Sequence, residues 1–281
     1  MKNFDLHNHS NFSDGMLTPA ALVELAKKGG CDALALTDHD TTLGLEEAAA
    51  AARRHDVQLV PGVEISVTWR NARATTLHIV GLNIDPAHAP LQAGLQAIRE
   101  GRKTRAERIA ADLERIGIAS ALEGAYGHVQ NPEMIGRTHF ARFLVERGIV
   151  RDTAAVFQRY LVAGKPGYVA HQWATLAQAV AWIKGAGGVA VIAHPGRYKI
   201  TPQEMRDLLA EFKALGGAAI EVVTGSHTRQ HFSEYAKLAR EFGFHASRGA
   251  DYHAPGESSY APGKLPDLPA DLLPVWQLFD H

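Results

Sequence analysis

The sequence predicts an α/β fold whose strands deliver their ends to one face. Short apolar runs alternate with helix-patterned segments towards both ends of the chain. A middle stretch carries helical patterning only. Imidazole and carboxylate residues fall at or just beyond the ends of the apolar runs. A parallel sheet or barrel gathers its strand termini at such a face.

In chain order, Phe4 to His7 reads as a short strand. Thr18-Pro19 opens a helix, with Thr as N-cap and Pro at the first position, that closes at Gly29-Gly30. Asp32 to Thr37 is an apolar strand, and Leu43 to His55 an Ala-rich helix of strong helix formers. Val57 to Val60, Glu64 to Thr68 and Thr76 to Asn83 follow as strands, with Pro61-Gly62 as a turn. This order predicts a parallel sheet with crossover helices.

The alternation stops near Asp85. Leu91 to Arg115 reads as one long helix whose polar face includes Arg99, Glu100, Arg102, Lys103, Arg105, Glu107 and Arg108. Thr138 to Arg147 and Thr153 to Leu161 are further helices. Residues 91–170 therefore form a helical insertion or cap, a common way to shape a pocket and exclude water. Alternation resumes with a helix at Leu176 to Gly185 and a strand at Gly188 to Ala193. A helix at Pro202 to Leu215, a strand at Ala218 to Val223, a helix at Arg229 to Phe242 and a strand at Phe244 to Ser247 complete it. The tail from Ala254 is rich in Pro and Gly and irregular.

The chain has 281 residues, 46% hydrophobic and 21% charged, ordinary values for a globular protein. Its formal net charge of -1 sets up no global attraction to nucleic acid or membrane. An anionic substrate must be held by a local basic patch or by metal. Cys31 is the single cysteine, which leaves no intrachain disulfide and reads as a small apolar residue before a strand. No secretory signal pattern opens the chain and no apolar run is long enough for a membrane span. The expectation is a cytoplasmic protein with no obligate protein partner.

His7 and His9, at i and i+2 on a strand, point the same way and offer a metal two imidazoles. Asp251 and His253 repeat the spacing. Asp14-Gly15 offers a carboxylate at the same edge, although alone it also reads as an Asx turn. In Thr37-Asp38-His39-Asp40 a helix cap explains the carboxylate or Thr41 but not His39. Glu64, between Val63 and Ile65, is a carboxylate in an apolar setting that needs a partner. His78 and His194, taken singly, read as hydrogen-bonded core histidines. Taken together, nine ligand-type residues at strand ends are hard to explain as packing. They match three metal ions with positions left open for water. Imidazole beside carboxylate suits Mn²⁺, Fe²⁺ or Zn²⁺.

Asp5-Leu6-His7-Asn8-His9-Ser10 with Ser13-Asp14-Gly15, Thr37-Asp38-His39-Asp40, Gly62-Val63-Glu64, His78, Ala193-His194-Pro195 and Asp251-Tyr252-His253 resemble, as an ordered set, the PHP (polymerase and histidinol phosphatase) family. The resemblance implies a distorted (β/α)7 TIM-like barrel carrying a trinuclear metal centre. The barrel would comprise residues 1–90 and 171–281. Mn²⁺ is the foremost expectation for three divalent ions, with Fe²⁺ or Zn²⁺ as alternatives. By motif, one ion takes His7, His9, Glu64 and Asp251, a second Glu64, His78 and His194, and the third Asp14, His39 and His253. The helical insert after the His78 strand, with Gly136-Arg137-Thr138-His139-Phe140, resembles the branch that hydrolyses 3′,5′-nucleoside bisphosphates and removes 5′ nucleotides from short RNA.

That resemblance implies a phosphoesterase in which a metal-bridging hydroxide attacks phosphorus in line. Asp40 is the candidate for protonating the leaving group, and His194 for a catalytic as well as a ligand role. Lys103, Arg137, Tyr168, His171 and His227 are the candidate phosphate or nucleotide contacts, with Arg102, Arg108 and Arg197 behind them. Arg137 can aim a bidentate fork at a second phosphate. Two other readings stay open: a histidinol-phosphate or other small phosphomonoester phosphatase, and a non-catalytic metal-stabilised module that binds nucleotides.

Overall fold

The computed structural model describes residues 2–69, 74–171 and 173–279. A seven-stranded sheet runs in the order β1 to β7: β1 Phe4–Asp5, β2 Ala33–Leu36, β3 Gln58–Trp69, β4 Thr75–Leu82, β5 Val189–Ile192, β6 Ala219–Thr224 and β7 His245–Gly249. The Leu6 N–H donates to the Arg248 carbonyl at 2.9 Å, bringing the first strand against the last. The sheet is thus a nearly closed barrel. Helices α1 (Pro19–Gly29), α2 (Leu45–His55), α7 (Leu176–Gly185), α8 (Pro202–Ala214) and α9 (Arg229–Phe242) lie outside it.

Strand alternation decides what faces the lumen. Leu34, Leu36, Val63, Ile65, Val67, Leu77, Ile79, Ile192 and Ile220 join the large core beneath the helices. The alternate residues Ala33, Ala35, Val60, Val80, Leu82, Val191 and Ala219 form a separate inner cluster with Phe4 and Val275. Phe4 stacks on Trp276 with ring centroids 4.4 Å apart. One half of the lumen is therefore filled by small and branched apolar groups. Along the same inward faces, Glu64, Ser66, His78 and Glu221 occupy the other half.

Two expectations from the sequence are corrected. The sheet is not all parallel: β3 pairs antiparallel with β4, and β4 antiparallel with β5. This reverses β4, so its N-terminal part, with His78 opposite Ser66, reaches the polar end. Pro61-Gly62 is not a turn either, since β3 runs unbroken through it. A Cβ at Gly62 would meet the Thr37 side chain at 2.8 Å and the Gly81 carbonyl oxygen at 3.0 Å. Glycine is there for the close approach of three strands.

Residues 89–161 hold α3 (Ala89–Arg115), α4 (Ala121–Tyr126), α5 (Arg137–Glu146) and α6 (Thr153–Val156), the last continuing into a π-helical turn over Phe157–Leu161. Helix α4 has no counterpart in the sequence reading. These helices have their own apolar cluster around Ile109, Leu113, Phe140, Leu144, Val156 and Leu161. Helix α3 joins the two bodies. Its buried stripe reads Leu91, Leu95, Ile98, Arg102, Arg105, Ile109, Leu113, the spacing of an apolar helix face. The first three pack in the barrel core and the last two in the helical cluster. The two arginines fall between them. Among the described residues, no helix is long and apolar enough to cross a membrane.

The helix starts are locally encoded. Thr201 caps α8, its hydroxyl accepting the Glu204 N–H at 3.2 Å while the Glu204 carboxylate accepts the Thr201 N–H at 2.7 Å. Thr201→Ala is expected to cost about 1 kcal/mol, read as a lower urea midpoint with an unchanged slope.

Candidate active site

The nine ligand-type residues converge at the polar end of the barrel. Glu64 sits at their centre, fully buried. Its Oε2 lies 3.3 Å from His7 Nε2, 3.3 Å from His9 Nε2 and 3.0 Å from His39 Nδ1. Its Oε1 lies 3.0 Å from His78 Nδ1 and 2.9 Å from His194 Nε2. Asp251 Oδ1 approaches His9 Nε2 at 3.3 Å and His7 Nε2 at 3.6 Å. On the opposite side, Asp14 Oδ1 is 3.2 Å from His253 Nε2 and 3.9 Å from His39 Nε2.

Many of these contacts are not hydrogen bonds. His9 Nδ1, Asp14 Oδ1, His39 Nδ1, Glu64 Oε2, His194 Nδ1 and Asp251 Oδ1 are all buried without a hydrogen-bond partner. Orphaned buried polar atoms are costly. Those of His9, Asp14, His39, Glu64 and Asp251 belong to the ligand-type groups and fit cations that would take up their lone pairs. The titration behaviour agrees. Burial opposes charge on Glu64, Asp14 and Asp251, yet the surrounding imidazoles hold all three carboxyls well below the usual range. Burial also opposes protonation of His7 and His9. The neighbouring carboxylates nevertheless raise His7 well above its ordinary value and His9 to about 10. A cation bound among these carboxylates would compete with the imidazole protons. Burial, with Arg197 nearby, pushes His194 down to about 3, leaving a neutral imidazole.

The scaffold behind this cluster is specific. Glu221 was not foreseen as a site residue; its Oε1 lies 2.8 Å from His7 Nδ1, and its Oε2 accepts the His194 N–H at 2.6 Å. Asp38 accepts from the Ser10 N–H, the Ser10 hydroxyl and the Ser13 hydroxyl at 2.6–2.7 Å, fixing the loop that carries His9 and Asp14. His194 and Asp251 adopt positive φ of 26° and 50°. Such backbone costs on the order of 1–3 kcal/mol each and is typical of positions held for function.

Beside the cluster lies a cavity of about 130 Å³. Asp14, His39, His78 and His253 form one wall, and Arg102, Arg105, Arg137 and Arg197 reach it from elsewhere. Burial and the neighbouring guanidinium groups lower the Arg105 pKa to about 9 and shift Arg137 down as well. Arg102 and Arg105 both stack over Trp173, at 5.0 and 5.2 Å. These cations lack a full set of protein counter-charges and are arranged to receive an anion.

The other sequence candidates fall differently. Asp40 does not face the cavity. Its Oδ1 accepts the Ser66 N–H at 2.7 Å, and its Oδ2 accepts the Ser66 hydroxyl at 2.8 Å and forms an ion pair with Arg102. Lys103 is exposed on the far side of α3, in a groove with Arg99 and Tyr126. Arg108 is also exposed. His227 is buried with both ring nitrogens engaged, Nδ1 donating to the Val222 carbonyl at 3.1 Å and Nε2 accepting the Gly196 N–H at 3.0 Å. It braces the loop after β5 and has no nitrogen left for substrate. His171 packs against Trp173 at 4.3 Å, and Tyr168 lies within electrostatic reach of Arg105 and Arg137. Neither lines the cavity.

The PHP domain family model matches residues 5–225. A 3′,5′-nucleoside bisphosphate phosphatase from Chromobacterium violaceum is 52% identical over 277 residues, covering 99% of this chain and 96% of its own. A 5′-3′ exoribonuclease from Escherichia coli is 43% identical over 280 residues, covering 99% and 94%. Among solved structures, an amidohydrolase from Chromobacterium violaceum with bound sulfate and no metal superposes with a TM-score of 0.95 at 51% identity, covering 99% of this chain and 95% of that one.

Proposed function

The chain belongs to the PHP domain family, and from that premise we propose that it hydrolyses the 3′-phosphate of nucleoside 3′,5′-bisphosphates. The products are a nucleoside 5′-monophosphate and inorganic phosphate. Short 5′-phosphorylated RNA presents the same 5′-phosphate beside a 3′-phosphoester and is the second substrate class. The observation that carries the reading is the small cavity itself: a set of guanidinium groups stands against a wall of ligand-type residues. Such a site takes two anions at once, one to be cleaved and one to be held. The sulfate bound by the Chromobacterium violaceum relative is a tetrahedral dianion of the same class.

The ligand sets for three divalent ions are His7, His9, Glu64 and Asp251; Glu64, His78 and His194; and Asp14, His39 and His253, supported by their proximity and orphaned atoms. Bound there, such ions supply a water ionised near neutral pH and positive charge for the transition state. The chain's own residues do the rest. Arg105 and Arg137 hold the 5′-phosphate, which orients the 3′-phosphate towards the ligand cluster. Asp40 is assigned to positioning Arg102 and not to protonating the leaving group, since both its oxygens are already engaged. Water's oxygen joins phosphorus, the P–O3′ bond breaks, and the 3′-oxygen leaves with a proton.

Mn²⁺-loaded protein is expected to release phosphate from adenosine 3′,5′-bisphosphate far faster than from 3′-AMP, 5′-AMP or histidinol phosphate. Preference for histidinol phosphate would overturn the substrate assignment. Arg137→Ala is expected to raise KM for the bisphosphate roughly tenfold or more, the loss of one charge-assisted contact, with KM for 3′-AMP little changed. Equal effects on both substrates would remove Arg137 from the second-phosphate site.

A further inference from the structure

The arginine cavity, at about 130 Å³, is smaller than the roughly 300 Å³ at which pockets for whole small molecules begin. Two phosphates and the ribose that joins them leave no room in it for a nucleobase, which must lie outside it. A second cleft of about 330 Å³ adjoins it, sharing Thr138, Phe157, Arg197 and His253 as a common wall. Resting on the bisphosphate reading, we infer that this outer cleft is the nucleobase subsite, with Phe157 as the stacking platform.

Charge selects this occupant. Of the charged groups lining the outer cleft, Arg197 is paired with Asp251 at 3.0 Å, and both carboxylate oxygens of Glu257 are taken by Arg142 at 2.8 and 3.2 Å. His253 belongs to the ligand cluster. Among the described residues, no uncommitted cation lines the cleft to attract a phosphodiester backbone, which depends on such cations. What remains is an aromatic ring and the hydroxyls of Thr153, Ser226, Ser258 and Ser259, a lining suited to a neutral heteroaromatic group. Phe157 opens the π-helical turn and carries the Arg137 guanidinium over its ring at 5.6 Å. One residue therefore contacts the group that holds the 5′-phosphate and borders the outer cleft. The Ser258 hydroxyl is committed, accepting the His253 N–H at 2.8 Å and donating to the Asp251 carbonyl at 3.4 Å; the other three rotate to suit and, with no planar amide or fork among them, accept purine and pyrimidine alike.

The test measures Kd by calorimetry, with Mn²⁺ present, for 5′-AMP, ribose 5-phosphate and the dinucleotide pApA carrying a non-hydrolysable methylenephosphonate linkage. Wild type, Phe157→Leu and Phe157→Tyr are compared. Wild type is expected to bind 5′-AMP about tenfold or more tightly than ribose 5-phosphate. Phe157→Leu keeps an apolar side chain of similar bulk and should abolish that preference, while Phe157→Tyr should retain it. Equal affinities in wild type, or a preference that survives Phe157→Leu, would overturn the assignment. So would a Phe157→Leu variant that binds 5′-AMP normally but loses pApA, since the cleft would then hold the next nucleotide of an RNA chain. Because the readout is binding, base preference without turnover of the bisphosphate would refute the proposed reaction and leave the subsite intact.

Discussion

Replacing Glu64 with Gln is expected to lower kcat/KM by about a thousandfold or more. Five imidazoles approach the Glu64 carboxylate, their nitrogens lying 2.9–3.3 Å from its two oxygens. Gln preserves volume and shape, so the packing of Val63 and Ile65 beneath the helices is untouched. It removes the negative charge and turns one oxygen into an N–H donor facing imidazole nitrogens. Losing several kcal/mol of metal-borne charge stabilisation, at 1.36 kcal/mol per tenfold, gives the stated drop. Elemental analysis of the purified variant should show fewer metal ions per chain, with the far-UV circular dichroism of wild type. Full metal content with near-normal turnover would remove Glu64 from the centre.

Glu221→Gln comes next, with an expected loss of 10- to 100-fold in metal affinity or activity. Glu221 touches neither the cavity nor the orphaned atoms, so its effect runs through others. Its Oε1 lies 2.8 Å from His7 Nδ1 and favours a proton there, which would leave the Nε2 lone pair for a bound metal. Its Oε2 holds the His194 N–H at a residue with φ of 26°. Gln offers one acceptor where the wild type has two, so His7 or the His194 backbone loses its anchor. Competition titration against a fluorescent chelator reads the affinity directly. A purely structural role would lower thermal stability and leave that affinity unmoved. The same titration on Glu221→Asp should show partial loss, because the shorter arm cannot reach both partners.

The ligand cluster was legible because strand ends of one barrel face one way, so residues far apart in sequence share an address. Glu64 was legible as a charge inside an apolar strand. Glu221 carries the same signal in Ala219-Ile220-Glu221-Val222-Val223, where the apolar residues on both sides dominate the pattern of the strand. Arg102 and Arg105 read as a solvated helix face. Their distinguishing mark is phase: they continue the stripe of Leu91, Leu95 and Ile98, where solvated charges do not belong. Lys103, next in sequence, points the other way for the same geometric reason. His227 shows the limit of residue type as a guide, since its ring is consumed by two backbone partners. The reversal of β4 follows from strand pairing across many residues, which local pattern does not encode.

The stripe of α3 has a further consequence. The nine ligand-type residues all come from outside residues 89–161, whereas Arg102, Arg105, Arg137 and Phe157 all come from within. On the proposed assignments, bond-breaking equipment and substrate choice are thus written in separate stretches of the gene. Variation in the helical stretch can redirect the enzyme to a differently shaped phosphoester while the hydrolytic engine is inherited unchanged. Arg102 and Arg105 sit between the part of α3 that packs in the barrel core and the part that packs in the helical cluster, so the position of the anion cradle depends on both packings.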